Sequence, residues 1–282
     1  MSIVIGIDTG ISSTKVIGVE DGKHVIAPTV VKCSDAATAV GNALDRYLHD
    51  NGIARNDIAH IMYTGSGAHE ATAVIDGCPM TRVDEFTANG LGARFDSGLD
   101  RMVVVSMGTG TSLVRVDGED IRHIGGIGMG GGTLLGLAQL LLGTSDMAEI
   151  TRLAEDGDPA RVNLLIGDLS SEKLDGLIQE ATASLFAKAS QQPASVNDIA
   201  AGLIHMVLET IGSAVVLSQL QSGIKDYVLI GRLAELASRN RVIPLLEKLY
   251  GVRFHIPKHA AYCTALGAAL SHKYENRQLH VI

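Results

Sequence analysis

Two short stretches carry residue types that can grip a phosphate. Asp8 to Lys15 reads DTGISSTK, and Gly108 to Ser112 reads GTGTS. Each follows an apolar run and leads into alternating apolar residues, so each is a tight turn between two strands. Glycine lets the backbone approach a ligand closely and takes φ > 0, so successive N–H groups can converge on one cluster of oxygens. Serine and threonine hydroxyls add donors. Facing each other across a cleft, the turns would clamp a polyphosphate from both sides. The first offers Asp8, Thr9, Gly10, Ile11, Ser12, Ser13, Thr14 and Lys15; the second offers Gly108, Thr109, Gly110 and Thr111. Asp8, at the end of a buried strand, suits Mg²⁺ held directly or through water, and Lys15 can neutralise phosphate charge. Two unrelated hairpins that share turn chemistry are the plainer alternative.

Two further stretches add to this. HIGGIGMGGGT, His123 to Thr133, carries Gly125, Gly126, Gly128, Gly130, Gly131 and Gly132 directly before an apolar helix. A glycine loop opening a helix is an anion or nucleotide site, or else a hinge. No Gly-Lys-Ser/Thr follows, so it is not a Walker loop. Asp84 and Glu85 stand side by side at a strand-to-helix junction. One can act as general base toward a substrate hydroxyl, or both can simply serve the helix N-terminus, where the dipole favours acids. The histidines are scattered, and Cys33, Cys78 and Cys263 have no metal-ligand spacing.

The elements that must position these residues alternate. VIGIDTGISSTKVIGV, Val4 to Val19, is echoed by VVSMGTGTSLVRVDG, Val104 to Gly118. At an offset of one hundred, Thr9-Gly10 falls on Thr109-Gly110, Ser12 on Ser112 and Lys15 on Arg115, which suggests two related halves. Helical spacing predicts helices at 35–48 (capped by Ser34 or Asp35), 86–95, 133–142, 147–155, 168–188, 197–220, 233–249 and 264–274. Buried strands are expected at 58–63, 226–231 and 252–256, with a turn at TGSGAHE. Such alternation means an α/β fold. With 282 residues, 46% hydrophobic, the chain can bury a large core, and aromatics at 4% make that core aliphatic. The net charge of -8 without a basic run argues against nucleic acid. No apolar segment of bilayer-spanning length and no leader is read, so a cytoplasmic protein is expected, off the membrane.

In this context GTGTSLVRVDG…GGIGMGGGTLLGL resembles the signature region of type II pantothenate kinases. These belong to the superfamily of actin, sugar kinases and heat-shock chaperone ATPases. The N-terminal DTGISSTK loop, the acid before F…GLG, the late IG strand and TALGAAL keep the same order. The resemblance implies a two-lobed, actin-like (ribonuclease H-like) ATPase fold with duplicated sheet-and-helix halves and a central nucleotide cleft. Residues 1–100 would form the N-terminal lobe and 101–282 the C-terminal lobe, the final helix packing back on the first. It implies ATP with Mg²⁺, pantothenate as acceptor in coenzyme A biosynthesis, and a homodimer. Glu85 matches the catalytic base and Thr109 a nucleotide contact. Gly131, Gly132, Thr133, Leu134 and Leu135 match the loop and helix start beside ATP, and Met147 and Arg232 occupy nucleotide-contacting positions. The family usually has Gly-Gly-Thr where Gly10, Ile11 and Ser12 stand. An arginine often precedes the glycine loop where His123 stands, so Arg122 substitutes for it or the acceptor binds differently. Two other readings share the fold. Dehydratase activators have a first loop close to DTGISSTK but need a cluster-ligating cysteine pair. The other is a non-catalytic relative that binds nucleotide or acyl-CoA.

Overall fold

The computed structural model describes residues 2–10, 13–32, 36–65, 74–75, 77–169 and 178–274. Apolar runs rich in Ile and Val form strands buried on both faces, as sheets covered by helices require. The N-terminal sheet contains β1 (Ile3–Thr9), β2 (Ser13–Glu20), β3 (His24–Lys32), β4 (Ile58–Thr64), β5 (Val74–Ile75) and β6 (Cys78–Arg82), in the order β3-β2-β1-β4-β6-β5. β1, β2 and β3 pair antiparallel as successive hairpins, and β4 and β6 run parallel to β1. The second sheet repeats the plan. It contains β7 (Arg101–Met107), β8 (Thr111–Asp117), β9 (Asp120–Ile127), β12 (Asp226–Ile230) and β13 (Arg253–His255), in the order β13-β12-β7-β8-β9. Outside both, β10 (Leu164–Leu165) and β11 (Thr182–Ser184) pair as a small ribbon.

Side-chain alternation sorts the helices onto faces. Ile3, Ile5 and Ile7 pack with Val40, Leu44 and Tyr47 of α1 (Ala36–Asn51), while Val4 packs with Ala265, Leu266 and Ala269 of α8 (Cys263–Ser271). In the second sheet, Val103, Val105 and Met107 meet α3 (Gly131–Leu142), α5 (Val196–Ser218), α6 (Leu233–Arg239) and α7 (Val242–Tyr250). Met102 and Val104 meet Ala93 of α2 (Glu85–Ser97). Thus α2 follows the first sheet in sequence but lies on the second, and α8 follows the second but lies on the first. The two helices cross at very short range. A Cβ at Gly267 would overlap the Ala88 carbonyl oxygen, one at Gly92 that of Cys263, and one at Gly6 that of Ala265. Inside the crossing, Thr264 Oγ1 donates to Asn89 Oδ1 at 2.7 Å.

Several expectations change. The helix expected at 168–188 is absent wherever the segment is described; 170–177 lie outside the described residues. Thr182 and Ser184 pair instead with Leu165 and Leu164, and Phe186 has φ 57, which breaks any helix there. Here tertiary pairing overrides helical spacing. The single helix expected at 233–249 is two, α6 and α7, parted at Asn240 and Arg241. Pro244 sits in the first turn of α7, where no amide is needed from it. The last helix ends at Ser271 and continues as a 3₁₀ turn over His272–Tyr274. Contrary to the sequence reading, α5 is long and apolar enough to cross a membrane, but 67% of its most apolar window is buried in the core. A capping box closes its start, with Ser195 Oγ accepting from the Asp198 amide at 3.1 Å. Ser34, Asp35 and most of the TGSGAHE turn lie outside the described residues. α4 (Met147–Glu155) matches its expected bounds.

Candidate active site

The first turn sits where β1 and β4 end and β2 begins. Asp8 shares the α8-facing side of β1 with Val4 and Gly6, beyond the end of the helix, so its carboxylate borders the cleft between the sheets. Lys15 stands directly opposite on β2, its Nζ 3.3 Å from Asp8 Oδ2, and both side chains are largely buried. Thr64 flanks Asp8 on β4. The Gly10 amide donates to the Ser13 carbonyl at 3.1 Å and tightens the turn. Ile11 and Ser12 lie outside the described residues. Gly65 takes φ 100 and packs against the end of β1, where an added Cβ would lie 2.5 Å from Thr9 O.

The second turn is braced by the glycine loop. Gly108 N donates to Gly110 O at 2.9 Å, Gly131 N to Gly108 O at 2.8 Å and Gly132 N to Thr109 O at 2.9 Å. Thr111 Oγ1 donates to Met129 O at 2.8 Å, and Thr133 Oγ1 to Gly128 O at 3.1 Å. A Cβ at Gly130 would stand 2.5 Å from Thr109 O, and one at Gly132 2.8 Å from Thr109 Cγ2. The glycines therefore let the start of α3 dock on the turn, and two of its first amides are committed to turn carbonyls. Leu134 points into the core and Leu135 packs against it. Met147 opens α4, half-buried against the same core. Arg232 follows Gly231 as the cap of α6 and is exposed.

The internal echo is real, but its register is not one hundred. Gly231 (φ 91) follows β12 and packs on Met107 as Gly65 packs on Thr9; an added Cβ would lie 2.5 Å from the carbonyl oxygen in each case. Thr9 therefore corresponds to Met107 and Asp8 to Ser106. Thr9 pairs with Thr14 as Met107 pairs with Thr111, so Lys15 corresponds to Ser112 and not to Arg115. Arg115 faces the other side of β8, paired with Asp117 at 3.1 Å. The turns differ in length by one residue, and one such slip sends every later side chain to the opposite face.

The adjacent acids separate cleanly. Asp84 is the N-cap of α2, its Oδ2 accepting from the Thr87 amide at 2.8 Å and the Thr87 hydroxyl at 3.0 Å. Glu85, the first helical residue, takes no part in the cap and opens onto the cleft. Its carboxyl pKa is pushed up, first by burial and then by the charges of Asp8 and Asp84, with Lys15 opposing. Its neighbour Phe86 stacks on His123 of β9, with ring centroids 3.9 Å apart and planes 15° apart. Ile121, two residues from His123, touches α2 at Gly90, so His123 lies on the α2 face of β9. Arg122 points to the other face and pairs with Asp120 at 2.7 Å. The geometry thus brings Asp8, Lys15, Glu85 and His123 toward one cleft and leaves Arg122 outside. Two members escaped the sequence reading, Thr64 and Phe86. A threonine closing a buried strand before glycine was the available signal for the first.

Of the described cysteines, Cys78 is buried under the first sheet and Cys263 between α8 and the second, its thiol pKa raised by burial. Neither reaches the surface to share a cluster. Among the described residues no three His, Cys, Asp or Glu side chains gather as a metal cage.

Comparison with known proteins adds four findings. The family model described as Fumble matches residues 101–271. A type II pantothenate kinase of Staphylococcus epidermidis is 26% identical over 94% of this chain and 98% of its own length. Pantothenate kinase 1 of Arabidopsis thaliana is 32% identical over 44% of this chain, and the match spans only 34% of the plant protein. Among solved structures, component A of the Acidaminococcus fermentans (R)-2-hydroxyglutaryl-CoA dehydratase superposes with TM-score 0.67 at 21% identity, covering 96% of this chain and 97% of that one. That likeness establishes the duplicated two-lobed fold alone.

Proposed function

The chain belongs to the Fumble family, and on that footing we propose that it is an ATP-dependent kinase. It phosphorylates the hydroxyl of pantothenate to 4'-phosphopantothenate, the first step of coenzyme A biosynthesis. The observation that carries this reading is Glu85, a carboxyl free of capping duty that faces Asp8 and Lys15 across the cleft with its pKa raised. A base of raised pKa is better matched to a proton it must take and later release near neutral pH.

The chain's own groups divide the work. The two turns supply backbone and hydroxyl donors to the phosphates, Thr109 foremost in the second. Lys15 offsets phosphate charge, and its ion pair keeps the Asp8 carboxylate oriented. Glu85 takes the acceptor hydroxyl proton as the oxygen attacks the γ-phosphorus, and the ADP oxygen leaves on the opposite side. Thr133, Leu135, Met147 and Arg232 flank the remainder of the nucleotide. His123, held flat on Phe86 beside Glu85, bounds the acceptor side. Asp8 fits Mg²⁺ as one hard oxygen donor, and nucleotide phosphates and water would complete its ligands. When bound, the ion supplies charge neutralisation on the phosphates. As the family resemblance implies, the proposal includes a soluble, cytoplasmic homodimer.

The test is direct. Purified chain with Mg-ATP and pantothenate should yield phosphopantothenate by mass spectrometry in step with ADP. ADP release without a phosphorylated acceptor would overturn the assignment.

A further inference from the structure

The two sheets were built on one plan, and they differ at one telling place. On the cleft face of the first, a row runs Lys15, Asp8, Thr64 across β2, β1 and β4. The corresponding row in the second runs Ser112, Ser106, Ile230 across β8, β7 and β12. The second sheet thus has an apolar residue at this strand position, and the first sheet has a hydroxyl there instead. Thr64 is 1% exposed, and among the described residues its Oγ1 has no hydrogen-bond partner. A buried hydroxyl left unpaired is destabilising, and valine would fill the same space without that cost.

The position says what the hydroxyl is for. The next strand outward from β4 is β6, which leads through Val83, bonded by its amide to Tyr63 O at 2.8 Å, to Asp84 and Glu85. Thr64 thus lies between the carboxylate at the phosphate turn and the base. On the kinase reading above, a phosphoryl group moving from nucleotide to acceptor would pass over this place. Thr9 also has an unpaired hydroxyl, but as the residue after Asp8 it lies on the opposite face of β1.

We propose that the Thr64 hydroxyl is a donor to an oxygen of the transferred γ-phosphoryl group, a contact that rests on the kinase reading above. Its loss should therefore weaken binding of a triphosphate and spare a diphosphate.

The experiment is calorimetric titration of the full chain with AMPPNP and with ADP, for the wild type, T64V and T64S. T64V should bind AMPPNP about tenfold or more weakly and ADP unchanged, with T64S restoring AMPPNP affinity. If T64V does not fold by circular dichroism, T64A takes its place. Equal affinities for AMPPNP in wild type and variant overturn the proposal, as does equal weakening of both nucleotides. A wild type that binds AMPPNP through Thr64 but leaves pantothenate untouched overturns the acceptor assignment alone. A wild type that binds no AMPPNP overturns both.

Discussion

Replacing Glu85 by glutamine separates chemistry from architecture, because the structure gives the two different signs. Glutamine keeps the shape and the helix start but cannot take a proton. Loss of a positioned general base costs about 10²–10⁴ in rate, or about 3–5 kcal/mol of barrier. Stability should move the other way. Burial and the charges of Asp8 and Asp84 hold the folded-state pKa of Glu85 above its unfolded value. The folded chain therefore binds this proton more tightly, and stability falls as pH rises through that window. At pH 7 the ionised carboxylate is a net cost, which the neutral amide removes. E85Q should thus turn over pantothenate at least a hundredfold more slowly while melting no lower than wild type. The pH profile adds a second reading. Activity should fall on the acid side with a midpoint above the ordinary glutamate value. D84N, which removes a like charge and can still cap α2, should move that midpoint down. Coupled ADP assays from pH 4.5 to 8 and thermal melts at pH 7 measure both. An E85Q chain that keeps kcat within threefold, or that melts well below wild type, would refute the reasoning.

Further outcomes follow from other contacts. H123A should raise KM for pantothenate by about two- to tenfold, the worth of an aromatic stack, and leave KM for ATP unchanged in steady-state kinetics. G267A must push α8 off the Ala88 carbonyl; it should cost about 1–3 kcal/mol and lower Tm by several degrees in scanning calorimetry. The Asp198 carboxyl is held below the usual carboxylate range, first by the Asp158 amide and then by the Ser195 hydroxyl. Its stabilisation is present at neutral pH and lost as pH falls through the folded value. D198A should therefore cost about 1 kcal/mol at pH 7 and progressively less as the pH is lowered in urea titrations.

What the sequence made legible was local. Both hairpins, the helices α2, α3 and α4 and the strand at β12 follow from apolar periodicity and turn residues, which neighbours along the chain decide. The resemblance added the two-lobed fold and singled out Glu85. What escaped depended on partners far away. The ribbon strand β11 exists because Leu164 and Leu165 lie beside it. The division of labour between Asp84 and Glu85 rests on one hydrogen bond to Thr87, and two adjacent acids in text do not reveal it. The repeat was visible, but an echo of letters aligned Lys15 with Arg115, whereas hydrogen-bond register aligns it with Ser112. The glycine loop was read as a nucleotide site or a hinge, and its close packing against the second turn adds a third use.

The exchange of α2 and α8 between the sheets has a consequence for how the chain comes into being. The face of the first sheet that Ala265, Leu266 and Ala269 cover has no lid until α8 is translated. At synthesis rates of about 5–20 residues per second, roughly 200 residues separate the end of β4 from α8. An aliphatic surface would then stay open for about 10–40 seconds on the ribosome. A chain stopped before residue 263 would keep that surface for good, so truncation there should yield an aggregating product, not a smaller enzyme.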